Sequence, residues 1–198
     1  MTWDQRYDRP DFLFGTEPAD FVRRTAPWLA PGSRVLAVAD GEGRNSVHLA
    51  GLGHDVVAMD ASRVALDKAR ALARDRGVTV DFRPGDVLTW DWAADAFDAV
   101  LAVFIQFVGP EDRARVFDGL RTALRPGGLL MLHGYAPRQV DYGTGGPPVR
   151  ENMYTLPLLE EAFAGFEILE ARDYDAEIDE GDGHSGLSGL VDFLARKP

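Results

Sequence analysis

The chain has 198 residues, 45% of them apolar, a formal net charge of −11 and no cysteine. That length and apolar share suit one domain with a substantial core and speak against a disordered chain. The acidity argues against nucleic acid and anionic membranes as partners, and the lack of cysteine excludes a disulfide framework and a zinc–cysteine site.

The opening stretch "MTWDQRYDRP" lacks the apolar core of a secretory signal. No apolar run approaches the roughly 20 residues of a membrane span, so a cytoplasmic protein is the default expectation. Residues 1–15 carry aromatics and mixed charges without a period and read as an ordered, lid-like arm. Thr16 is a predicted N-cap, with Glu17 and Pro18 in the first turn. Phe21, Val22, Thr25, Trp28 and Leu29 follow helical spacing, and Pro27 ends or kinks that helix early. After the turn "APGSR", a strand is predicted over 34–39 and a helix over 45–52 with Gly53 as its C-cap. A second strand, 55–59, ends at Asp60.

Ser62 caps a well-marked helix whose apolar face is Ala65, Leu66, Ala69, Leu72 and Ala73, and Gly77 stops it. A strand over 78–83 leads into the turn "PGD", and 97–104 is a strongly apolar strand. Pro110 starts a helix with the face Val116, Phe117, Leu120, Ala123 and Leu124; "RPGG" is a turn and 129–135 a strand. Residues 136–152 hold three glycines and two prolines within 143–148 and read as a loop. Thr155 caps a helix reaching Ala164, and strands over 166–178 and 187–195 flank "DEGDGHSG". Strands alternating with helices mean βαβ units and a parallel sheet. The last two strands, joined by a short link, must form an antiparallel hairpin.

The turn after the first strand carries the chemistry. In doubly wound sheets, ligands bind outside the carboxyl ends of the strands, and glycines there let backbone approach them closely. In "ADGEGRN" the glycines Gly41 and Gly43 alternate with two acids, Asp40 and Glu42. Those acids would crowd a pyrophosphate at the helix N-terminus. They suit a donor whose sulfonium and ammonium are cations, S-adenosylmethionine, better than NAD. Of the two, Asp40 is expected to point inward and Glu42 to face solvent. Asp60 stands where an acid grips ribose hydroxyls. Asp86, after the third strand, suits the adenine amino group, with the backbone of Val87 reading the ring. In the arm, Trp3, Tyr7, Phe12 and Phe14 are candidates to cover the site, Trp3 and Tyr7 above all, since aromatic faces attract a sulfonium. In the long loop, Arg138, Tyr142 and Arg150 are candidates for meeting a substrate.

Taken in order, "VLAVADGEGRN", "VVAMDAS", "PGDV", "FDAVLAVF" and "LRPGGLLML" resemble the motifs of class I S-adenosylmethionine-dependent methyltransferases. "WDQRY", "FLFGTEPADFV", "YGTGGPP" and "DEGDGHSGLSG" are similar to features of the branch with thiopurine methyltransferase-like and tellurite-resistance-type proteins. The resemblance covers nearly the whole chain. It implies a three-layer, doubly wound Rossmann-like α/β fold with a seven-stranded sheet of order 3-2-1-4-5-7-6, strand 7 antiparallel. It implies one domain, 1–198, in which an arm and helix over 1–30 cover the cofactor. Ala39, Gly41 and Gly43 would line the methionine part, with Asp40 and Arg44 at its amino and carboxylate groups. Asp60 would hold the ribose and Asp86 and Val87 the adenine, Asn45, Ala61 and Ser62 would also bind the cofactor, and Phe104 would sit beneath it. Ala37 and Ala39 depart from the common pattern, which has an acid and a glycine at these places.

The chemistry implied is in-line methyl transfer to a small molecule, with proximity as the main effect. No general base stands out, which suits a soft nucleophile: a thiol, selenium or tellurium compound. Methyl transfer to oxygen or nitrogen, an NAD-dependent oxidoreductase and a non-catalytic donor-binding relative stay open. A monomer or homodimer is expected. The acidic stretch from Asp173 to Asp182 fails calcium-loop spacing in both registers: the positions that need glycine and a bidentate acid hold Glu180 and Gly186, or Ile178 and His184. It therefore reads as a solvated hairpin without a metal, and the four histidines are scattered.

Overall fold

The computed structural model describes residues 2–198. Seven strands form one sheet: β1 (Arg34–Val38), β2 (Asp55–Asp60), β3 (Asp81–Pro84), β4 (Phe97–Val103), β5 (Leu124–Tyr135), β6 (Glu167–Asp179) and β7 (Ser185–Arg196). Their order is β3-β2-β1-β4-β5-β7-β6, with β1 to β5 parallel and β7 antiparallel to both neighbours. This is the expected topology. The winding reverses between β1 and β4, so the carboxyl ends of these two strands flank the crevice where ligands bind in such sheets.

The helices are α1 (Trp3–Tyr7), α2 (Asp20–Thr25), α3 (Arg44–Gly51), α4 (Arg63–Asp75), α5 (Pro110–Ala123), α6 (Gln139–Tyr142) and α7 (Leu156–Ala162). They cover both sheet faces, which is why the central strands are apolar without alternation. On one face Leu36, Val57, Val100 and Leu130 pack with Val116, Phe117 and Leu120 of α5 and Leu159 of α7. On the other, Val35, Val56, Leu101 and Met131 pack with Phe21 and Val22 of α2 and Leu49 of α3.

Several boundaries differ from the sequence expectation, each for a local reason. The arm contains a one-turn helix, α1, capped by Thr2, whose hydroxyl accepts from the Gln5 amide while the Gln5 side chain accepts from the Thr2 amide. α2 starts at Asp20 with Ala19, not Thr16, at its N-cap, because the Ala19 amide donates to Asn45 Oδ1 at 3.0 Å. Trp28 leaves the helical face and is 48% exposed. The predicted "RPGG" turn lies within the start of β5, beside a register shift against β4. Residues 136–152 are not wholly irregular: they include α6 and a 3₁₀ turn, Arg150–Asn152.

Candidate active site

A cavity of about 620 Å³ opens at the carboxyl ends of β1, β2 and β4, under the arm and the tip of the β6–β7 hairpin. Two non-glycine residues at its floor adopt left-handed backbone: Ala39 (φ 48°) after β1 and Phe104 (φ 55°) after β4. Such strain persists only where the surroundings impose it, and it collects at functional sites. Ala39 takes up a conformation that favours glycine, which is the residue common at this place in the pattern the sequence resembles.

Gly41 (φ 60°) and Gly43 (φ 88°) shape the loop between β1 and α3. A Cβ on Gly41 would lie 2.8 Å from the Tyr7 hydroxyl, and one on Gly43 would lie 2.7 Å from Ala69 Cβ. The first glycine thus admits the arm and the second admits α4. Gly41 lines the cavity; Gly43 does not.

Asp60, at the end of β2, accepts from the Gly41 and Ser62 amides, both at 2.8 Å. Burial raises its carboxyl, and these two amides oppose the rise. Ser62 lies behind it, capping α4 through the Ala65 amide and donating to Asp4 at 2.6 Å. Asp40 faces the cavity and accepts a short hydrogen bond from the Ser46 hydroxyl. Protein surrounds its carboxyl, and this burial, with Asp60 adding repulsion, pushes it up to about 7 against the Ser46 bond. Ala61, Asp86 and Val87 line the cavity, and Asp86 accepts from the Leu88 amide at 2.8 Å. Asn45 also lines it while holding the start of α2.

Glu42 does not face solvent. It is 3% exposed, accepts from the Leu13 amide at 2.8 Å and pairs closely with Lys68 of α4. Lys68 in turn donates to the carbonyls of Tyr7, Arg9 and Asp11. The second loop acid therefore ties down the arm, because the arm covers the surface that would otherwise hydrate it. From that arm Trp3, Tyr7 and Phe14 line the cavity, while Phe12 packs instead near Val47 and Leu72. Trp3 stacks on Tyr7 at 5.7 Å and meets Phe107 edge-on at 5.9 Å.

Arg138, Tyr142 and Arg150 do not line the cavity. Arg138 bonds Asp173 and Asp175 of β6 at 2.5 and 2.6 Å, Tyr142 donates to Asp175, and Arg150 bonds Asp141 and the Pro137 carbonyl. Nearby acids and a carbonyl satisfy all three. The loop presents Gly146 to Val149 and Asn152 to the cavity instead.

The hairpin tip, read as solvated, is part of the site. His184 is 7% exposed and lines the cavity, between Phe14 and Phe104 with ring centroids 4.3 Å from each. Glu180 bonds Arg44 at 2.7 Å and lies 3.6 Å from His184 Nδ1. Burial works against ionisation of Glu180, but His184 and Arg44 beside it prevail and hold it at about 2. Arg44 lines the cavity, and among the described residues its Nη1 is buried without a partner, as are the Tyr135 hydroxyl and His184 Nδ1. Glycines bring the tip in: a Cβ on Gly183 would fall 2.2 Å from the Phe14 ring, and one on Gly181 2.7 Å from the backbone of Gly15. The glycines in "DEGDGHSG" were the signal available in the sequence for this close approach.

A profile described as a methyltransferase domain matches residues 35–128. An uncharacterized protein of Mycobacterium tuberculosis is 31% identical over 105 residues, 53% of this chain and 38% of that protein, so the match spans well under half of that relative's length. Thiopurine S-methyltransferase of Pseudomonas putida is 32% identical over 158 residues, 71% of this chain and 69% of the relative. The solved structure of TehB from Haemophilus influenzae, 19% identical, superposes with a TM-score of 0.74 over 99% of this chain and 66% of that one, a likeness of fold.

Proposed function

The chain belongs to the class I S-adenosylmethionine-dependent methyltransferase family, and on that premise we propose that it transfers a methyl group to a small, neutral thiol. The observation that carries this reading is the charge and lining of the cavity. Its acids are Asp40, Asp60, Asp86 and Asp112, and its guanidiniums are Arg6 and Arg44. Arg44 is paired with Glu180 and Arg6 lies over the Trp3 ring. Such a lining fits a donor with a sulfonium and an ammonium and opposes a pyrophosphate. The buried Nη1 of Arg44, without a partner among the described residues, fits the donor's carboxylate.

S-adenosylmethionine, when bound, supplies a methyl carbon already activated by positive sulfur. The residues of this chain bind, orient and exclude water. Asp40 would meet the ammonium and Arg44 the carboxylate. Asp60 would take the ribose hydroxyls, with Ala61 beside it, and Asp86 and Val87 the adenine. Phe104 would lie beneath, and Trp3, Tyr7 and Phe14 would close over the top as the cover formed by residues 1–30 of a single domain. Exclusion of water by that cover would strengthen each of these polar contacts and hold the acceptor atom within about 3–3.5 Å of its target.

Among soft nucleophiles, the aromatic and proline lining supports a neutral thiol over a selenium or tellurium oxyanion, because four carboxylates against two guanidiniums disfavour an anion. The thiopurine S-methyltransferase relative points the same way. Incubation with methyl-labelled donor and a panel of thiols, selenite, tellurite, phenols and amines tests this. Label is expected on thiols first. Label only on oxygen or nitrogen acceptors would overturn the thiol assignment.

A further inference from the structure

We propose that His184 accepts the proton of the acceptor's S–H group, with Glu180 orienting its ring. The proposal rests on the methyl-transfer reading and adds a catalytic residue to it. A buried histidine that serves only packing has its ring nitrogens satisfied. His184 lines the cavity, yet among the described residues its Nδ1 is enclosed and without a hydrogen-bond partner. The ring is clamped between Phe14 and Phe104, at 4.3 Å from each, so its direction is set. Glu180 Oε2 stands 3.6 Å from Nδ1, on the side where a carboxylate selects the tautomer that leaves the Nε2 lone pair free. A contact of this length tightens on substrate binding in many catalytic pairs.

The groups facing the ring agree with this role. Burial lowers the imidazole's pKa; Glu180 of the same hairpin opposes that, while Arg44 from α3 and His133 from β5 reinforce it. Tyr135 of β5 presents its edge at 5.6 Å, and burial keeps its hydroxyl protonated. His184 is thus neutral near physiological pH and able to take a proton.

The step balances as follows. The acceptor's S–H bond breaks and the proton passes to His184 Nε2. The freed electron pair forms the bond to the methyl carbon, and the carbon–sulfonium bond breaks with its electrons staying on the donor's sulfur. A neutral thiol and a sulfonium give a methyl thioether, a neutral thioether and an imidazolium, which returns its proton to water.

Two probes separate proton removal from everything else: phenylmethanethiol, protonated near neutral pH, and 4-nitrobenzenethiol, already ionised there. His184→Asn is expected to slow transfer to phenylmethanethiol on the order of 10²-fold, and transfer to 4-nitrobenzenethiol at least tenfold less than that. At saturating donor, where Asp40 no longer limits binding, the rise with pH of the wild-type rate on phenylmethanethiol through the imidazole's range flattens in the variant. Calorimetry should find S-adenosylhomocysteine still bound by His184→Asn, and an NMR titration should find the wild-type His184 ring titrating below the usual histidine range. If His184→Asn does not fold, Glu180→Gln decides by the same ratio, with a smaller loss of the same selectivity. Equal slowing with both thiols, or an unchanged pH profile, would overturn the role of His184 while leaving methyl transfer standing. Donor binding without transfer to either thiol by the wild-type protein would overturn both readings.

Discussion

Asp40 is the residue on which the proposed donor binding and pH meet. Its carboxyl, pushed up to about 7 by burial and by Asp60, is half protonated near neutrality. The ammonium group of S-adenosylhomocysteine favours the charged form, so binding it below about pH 7 should release up to one proton to the buffer. Calorimetry in buffers of different ionisation heat measures this, and Asp40→Asn should abolish it. The sign for folding is the reverse. A carboxyl raised from 3.8 stabilises the folded chain fully below about pH 4 and loses that contribution as pH rises through about 7. Asp40→Asn should therefore raise Tm more at pH 8 than at pH 5. Gly41 supplies a second test. Alanine there meets both a φ of 60° and the Tyr7 hydroxyl at 2.8 Å. Gly41→Ala should destabilise by about 1–3 kcal/mol, and Tyr7→Phe in the same chain should recover part of it in a double-mutant cycle. Asp40 and Asp60 were legible in the sequence because a strand's carboxyl end fixes where its next residue points. The direction of Glu42 was not, since its partners Lys68 and Leu13 come from distant parts of the chain. The same reason hid the engagement of Arg138 by β6.

At the scale of elements, the arm and α4 meet through one lysine. Lys68 holds Glu42 and three carbonyls of the arm, joining the glycine loop to the arm. Removing a hydrogen-bonded charge from such a node costs about 1.5–3 kcal/mol. Lys68→Met should then speed amide exchange over residues 2–15 by roughly 10- to 100-fold, while exchange in β1, β4 and β5 stays slow. Equal acceleration throughout would mean that Lys68 supports the whole fold and not the arm in particular. Periodicity revealed α4 and α5 in the sequence, because their buried faces repeat every three to four residues. It could not reveal α1, a single turn secured by the Thr2 and Gln5 capping box. Nor could it show that the hairpin tip folds inward, which depends on the missing side chains of Gly181 and Gly183.

Across the whole molecule, the alternation of strands and helices and the closing hairpin gave a parallel sheet with an antiparallel end, while the strand order came from the family resemblance and matches the sheet found. Connection rules leave few other arrangements. The site was harder to see because its halves come from opposite ends of the chain: arm, glycine loop and hairpin tip lie far apart in sequence. The net charge of −11 now has a local counterpart in the four carboxylates of the cavity. A cationic donor should be held less tightly as salt rises, since these charges are screened over about 8–10 Å at physiological ionic strength. Central to the proposed function is selection, by the acidic glycine loop, of a phosphate-free nucleoside that carries an ammonium group. Calorimetric titration of the protein with S-adenosylhomocysteine and, separately, with NAD tests it most directly. Saturable binding of S-adenosylhomocysteine, weakened at least tenfold by Asp60→Asn, with no heat from NAD, is the predicted result; binding of NAD alone would contradict it.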